Sequence, residues 1–299
     1  MSKSVLLKSS IAKKYWMALT GLFLCTFLVG HLAGNLQLVF STGEEGKRAF
    51  NEYAYFMAHN PAIKLLSYVT YISILFHIVD GFMLTIQNKK ARPVGYAYNK
   101  PGANSSMASR NMAVLGTLIL VFLATHMANF WWKAKVSEDK FPLHVKEISF
   151  QQGNEMTGQV QKQTIKLYLT TAGNYVPVDG FIVKNKTELY EAQLNAQKVD
   201  LKMGEGYKDL HSLVFAFFGH DKTKQGFPIN DLALAGLIFY VISMLVLGFH
   251  LWHGFSSAFQ SLGVNHPTYT SWIKKLGYGF AILVPGLFAL IPIVIFITK

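Results

Sequence analysis

Four histidines lie inside four separate apolar stretches of this chain: His31, His77, His126 and His250. An ionisable side chain in a membrane span is expensive, and its presence there points to chemistry. Four of them on different helices can face one another as pairs. Paired neutral imidazoles in a dry interior suit axial ligation of b-type haem.

Depth sorts the four residues. With a helical rise of 1.5 Å per residue, His31 stands about 25 Å from Lys14 and His126 about 24 Å from Arg110. By the same measure His77 lies about 18 Å from Lys89 and His250 about 15 Å from Gln260. His31 and His126 therefore form an outer pair, and His77 and His250 an inner one. His253 follows His250 by three residues on the same helical face and is the alternative ligand. His250 is the deeper of the two and the better depth match to His77. Gly34, Gly81 and Gly254 follow His31, His77 and His250 by three or four residues, leaving room on the same face for a flat macrocycle. Asn35 and Ser73 are placed one turn from a ligand candidate, where they could orient an imidazole through its other nitrogen.

The composition requires a membrane setting. Of 299 residues, 51% are hydrophobic and only 15% charged, against about 25% in an ordinary soluble domain. Five segments meet the span requirement of about 20 apolar residues. They cover roughly Tyr15–Phe40, Ala62–Gln87, Asn111–Trp132, Asp231–Phe259 and Trp272–Thr298, with tryptophans and tyrosines at their ends. The first is too long for a signal-peptide core and is expected to be a retained span. The net charge of +12 collects at span ends, at Lys3, Lys8, Lys13 and Lys14, from Lys89 to Arg110, and at Lys274 and Lys275. This is orienting charge and no nucleic-acid footprint. It sets the N-terminus in the cytoplasm and the C-terminus outside. The lone Cys25 excludes a thioether haem attachment and a cysteine-ligated iron–sulfur cluster, so any haem is held non-covalently.

The expected fold is an all-α integral membrane protein: a bundle of five transmembrane helices with a small extracytoplasmic, β-containing insertion between the third and fourth. Residues 1–132 carry the first three spans, 133–228 the insertion, and 229–299 the last two spans. Within the insertion, Thr164–Thr170 and Tyr175–Val183 alternate as strands do, and turn signals at 172–174 and 179–180 separate them. Tyr207–Phe218 is amphipathic and leads into the fourth span at the membrane interface. The segment between the first two spans is treated as a short mixed loop carrying Glu44, Glu45, Glu52, Lys47 and Arg48.

Four stretches carry a resemblance. Phe27–Asn35 (FLVGHLAGN), Arg48–Pro61 (RAFNEYAYFMAHNP), Leu75–Lys90 (LFHIVDGFMLTIQNKK) and Gly248–Gly263 (GFHLWHGFSSAFQSLG) cover the helical two thirds of the chain. Together they resemble the five-helix, dihaem cytochrome b membrane anchor of succinate dehydrogenase or succinate:menaquinone oxidoreductase, the b558-type anchor of respiratory complex II. The resemblance implies that His31 and His126 bind the distal haem iron, and His77 and His250 the proximal one. It implies a cytoplasmic flavoprotein (FAD) subunit and an iron–sulfur subunit as partners, with menaquinone as the electron acceptor, in the cell inner membrane. The chain itself would do no succinate chemistry and would serve the complex as its electron-transfer, quinone-reacting subunit. Quinone reduction needs a proton donor, and Glu52 and His59 are the candidates. Running backwards, the same complex would reduce fumarate. The insertion of nearly a hundred residues departs from the short connection usual in that family. Two other classes compete. One is the cytochrome b subunit of a hydrogenase or formate dehydrogenase. The other is a non-haem, proton-coupled transporter, disfavoured because the sequence shows no inverted repeat.

Overall fold

The computed structural model describes residues 9–94, 98, 100–137, 141–153, 160–191, 201–220 and 226–298. Lys3 and Lys8 of the basic flank lie outside the described residues. The chain is mostly helical. Among the described residues, five helices are long and apolar enough to cross a membrane, which makes this a membrane protein: Ser10–Phe40, Pro61–Lys90, Met112–Lys135, Ala233–Ser261 and Pro267–Thr298. Each extends a few residues beyond its apolar run, into flanking polar residues that continue the same backbone ladder.

Local chemistry sets the boundaries. Asn60 caps the second span, its side-chain oxygen accepting from the amides of Ala62 and Ile63, and Pro61 occupies the first turn, where no amide is needed. The third span changes from α-helix to a π-helical turn at Met127–Trp132, immediately after His126. Such bulges insert an extra residue in the turn and shift the side-chain phase beyond it. Hydroxyls inside the spans bond their own helix: Thr20, Thr70, Thr117 and Ser243 each donate to a carbonyl four residues back. Their polarity is thereby satisfied without water.

Contacts divide the chain into two units. The first comprises residues up to Leu36, Asn60–Met127 and Leu232–Thr298, and holds all four bundle histidines. Within it the fourth and fifth spans pack most extensively, and the third packs on both the second and the fourth. Glycines allow the closest approaches. A β-carbon at Gly248 would stand 3.1 Å from the Ala281 carbonyl, and one at Gly277 2.9 Å from the Phe255 ring. Cys25 of the first span joins Leu251, Phe255 and Ala281 of the last two in one buried core. Large apolar side chains such as Leu65, Phe76, Leu245 and Leu283 point outward and are more than half exposed, as lipid-facing positions are.

The second unit joins Gln37–His59 to residues 128–231. Here the sequence-based expectation of a loop is corrected. Gly43–His59 is a 17-residue amphipathic helix. Gly46 permits the tight entry, because a β-carbon there would collide with the Ser41 backbone. The insertion contains two antiparallel three-stranded sheets. One orders β1 (Val145–Gly153), β2 (Val160–Leu169) and β3 (Tyr175–Pro177); the other orders β4 (Phe181–Lys184), β5 (Glu188–Glu191) and β6 (Leu201–Glu205). Ile148 faces Ile165 across β1 and β2. Gly173 and Gly180 take positive φ in the turns expected from the sequence. Leu169 and Leu189 are fully buried at its centre. The helix Leu210–Phe218 packs against Gly43–His59 and buries His211, Ser212, Leu213 and Phe218.

Candidate functional site

In the first unit the histidines meet in pairs. The His31 and His126 ring centres lie 6.0 Å apart, and those of His77 and His250 lie 6.2 Å apart. The ring planes stand at 90° and 67°, so the imidazoles do not stack. A metal held axially by two imidazoles sets the ring centres roughly 6 Å apart, from two bonds of about 2.0 Å plus about 1.1 Å from each nitrogen to its ring centre. Both pairs have that spacing. Among the described residues no three or more His, Cys, Asp or Glu side chains converge as a metal cage. Two histidines alone would hold an iron whose other ligands a macrocycle supplies.

The surroundings of each ring differ. Thr20, which is buried, brings its hydroxyl oxygen to 3.3 Å from His77 Nδ1. The Tyr240 hydroxyl lies 3.4 Å from His126 Nδ1. The Asn35 amide nitrogen lies 3.4 Å from His31 Nδ1 and donates to the His31 carbonyl at 2.8 Å. Nδ1 of His250 is buried with no hydrogen-bond partner. Phe27 stacks on His31 at 5.4 Å and Phe288 tilts against it at 5.7 Å, so the outer pair sits among aromatic rings.

Glycines face the inner pair. A β-carbon at Gly21 would stand 3.3 Å from His77 Cε1, and one at Gly116 3.9 Å from His250 Cε1. These glycines lie on neighbouring helices. The glycines picked out by their spacing behave otherwise: a β-carbon at Gly81 would meet the Met17 methyl and one at Gly254 only the Met112 methyl. His250 presents its ring to His77, whereas His253 sits half-buried one turn further along the same helix. At the inner pair the ring spacing, the glycines beside the rings and the unpartnered buried Nδ1 of His250 fit non-covalent haem b; at the outer pair the ring spacing alone fits it.

Sequence reasoning missed Thr20 and Tyr240. A threonine or tyrosine among apolar residues carries no spacing signal, and which helix faces which is decided only by packing. Ser73 is buried.

Glu52 and His59 lie in the second unit. Glu52 accepts from Arg48 at 2.7 Å in an exposed pair one helical turn apart. His59 is exposed, stacks on Tyr55 at 3.9 Å and bonds the Tyr55 carbonyl at 2.8 Å. Tyr55 in turn meets Tyr207 edge-on at 5.2 Å. Burial raises the Tyr207 hydroxyl above its ordinary range.

The second unit also contains a buried polar network that no motif announced. Asn51 Nδ2 donates to Asp209 Oδ1 at 3.0 Å and stands 3.0 Å from His144 Nδ1. Asn51 Oδ1 accepts from the His211 backbone amide at 2.9 Å. Asp209 also caps Ser212 and pairs with Lys47 Nζ at 2.8 Å. His144, Asp209 and Asn51 are at most 2% exposed. Burial first, then the nearby Lys47 cation, pushes the His144 imidazole down to about 4.

No protein-family model matches this chain, and no curated protein or solved structure is significantly similar to it.

Proposed function

We propose that this chain is the membrane-anchor cytochrome b subunit of a succinate:quinone oxidoreductase, serving electron transfer between an iron–sulfur partner subunit and menaquinone. The single observation that supports it best is the pair of imidazole separations, 6.0 and 6.2 Å, each suited to one iron bound by both rings. Bound haem b supplies a one-electron carrier at each pair. The residues of the chain do the rest. His31 and His126 would hold one group, and His77 and His250 the other. Thr20 and Tyr240 would orient the His77 and His126 rings from behind. The apolar lining keeps water away and thereby sets the potential through burial. Glu52 and His59 are the proposed proton-handling groups toward a quinone, with Tyr55 and Tyr207 supplying an aromatic wall for a flat ring.

In this reading the basic segment from Lys89 to Arg110 faces the cytoplasm. The flavoprotein and iron–sulfur subunits dock on that side. The sheets of residues 133–228 then lie outside the inner membrane.

A reduced-minus-oxidised optical spectrum with haem extraction tests the assignment. Two b haems per chain are expected, and a colourless chain would overturn it in favour of a transporter. Copurification of a flavin-bearing dehydrogenase supports the succinate assignment, while a nickel or molybdenum subunit would move the chain to another respiratory enzyme.

A further inference from the structure

The hydroxyl of Thr20 has one proton, and the geometry shows where it goes. Thr20 Oγ1 donates to the Trp16 carbonyl at 2.7 Å, with the Met17 carbonyl further off at 3.3 Å. The same oxygen lies 3.3 Å from His77 Nδ1. With its proton committed to the helix backbone, Thr20 can meet that nitrogen only as an acceptor. Nδ1 of His77 must then carry the ring proton. Nε2 is left as a lone pair. Gly21, the next residue, lets the first span approach this closely, since a β-carbon there would stand 3.3 Å from His77 Cε1. His250, across the pair, has no such support at its Nδ1.

Resting on the two-haem reading above, we propose that Thr20 is a positioning residue that fixes the tautomer and raises the donor strength of His77, so that the inner site is tuned from one side only. An acceptor on the outer nitrogen makes an imidazole a more basic ligand. A more basic ligand favours the oxidised metal. Removing the acceptor therefore raises the potential of the inner haem and leaves the outer one alone. A tenfold change in relative affinity for the two oxidation states corresponds to about 59 mV in a one-electron couple.

The test uses the full chain purified in its complex, as wild type, Thr20→Val, Thr20→Ser and Gly21→Ala. Readouts are haem stoichiometry, the low-spin ferric resonance signals and spectroelectrochemical midpoints, with His250→Ala identifying the inner haem. Thr20→Val should retain two haems, raise one midpoint and alter the signal of that haem only. Thr20→Ser keeps an acceptor and should restore both readouts. Gly21→Ala should disturb the same signal by pushing on the ring. Loss of the inner haem alone in Thr20→Val, with retention in Thr20→Ser, also supports the assignment. Unchanged signals in Thr20→Val, or equal changes at both haems, would overturn it. A wild-type chain without haem overturns the proposed function itself, which separates the two failures.

Discussion

Acidification should loosen the second unit through one side chain. His144 is fully buried, and its Nδ1 lies 3.0 Å from Asn51 Nδ2. Asn51 can only donate from that nitrogen, so Nδ1 must be unprotonated in the folded state. Lys47, Arg48, Glu52 and Glu44 face His144 from the helix Gly43–His59, and Asp209 faces it from the insertion. Burial and Lys47 outweigh Asp209, and the imidazole is held down at about 4, against 6.5 in a model peptide. A group with a depressed folded-state pKa contributes stability that is complete above about 6.5 and lost as the pH falls toward 4. A difference of about 2.5 pH units corresponds to about 3 kcal/mol in all, of which about 2 kcal/mol is gone by pH 5. Hydrogen exchange on the full chain in detergent or nanodiscs, at pH 7 and pH 5, reads the effect. Protection in Gly43–His59 and β1 should fall by about 2 kcal/mol after correction for intrinsic rates. His144→Gln preserves an acceptor for Asn51 without a proton to gain, and its protection should change far less between the same two pH values. Equal slopes in wild type and His144→Gln would refute the reasoning, because the loss would then belong to other groups.

Further outcomes follow from the same contacts. Asn51→Leu strands His144 Nδ1 and the His211 amide and leaves Asp209 Oδ1 with the Ser212 amide as donor, and should destabilise the second unit by about 2–4 kcal/mol, measured by limited proteolysis of the insertion. Gly277→Ala places a methyl 2.9 Å from the Phe255 ring and should destabilise the contact between the last two spans by about 1–3 kcal/mol, visible as a lower unfolding temperature in detergent. His250→Ala should remove one of two b haems, whereas His253→Ala should leave both. Haem extraction decides between them, and the reverse result would make His253 the ligand. His126→Ala should remove only the haem of the outer pair, checked by the same extraction.

Much of the architecture was legible in residue types. The five spans follow from runs of apolar residues, because a bilayer of about 30 Å demands helices of about that length. Pairing by depth follows from a constant rise per residue, and the structure brings together the same partners, His31 with His126 and His77 with His250. The strand regions in Thr164–Thr170 and Tyr175–Val183 announced themselves by alternation and by glycine turns. What escaped were features that depend on a neighbour. Gly43–His59 looked like a loop because it is short, mixed in charge and opened by glycine. Its apolar stripe makes sense only against the helix Leu210–Phe218, more than 150 residues away in sequence.

Composition and periodicity alone therefore determine that this chain is a membrane protein, how many helices can cross, and which histidines share a depth. Those properties are local, set by hydration cost and helix geometry residue by residue. Tertiary structure decides the rest. It turns His250 toward His77, sets Thr20 behind one ring and none behind its partner, and gathers Asn51, His144 and Asp209 from three distant segments into one buried network. Each of these depends on which helical face meets which, and that is settled by the collective packing of side chains and not by any one stretch of sequence.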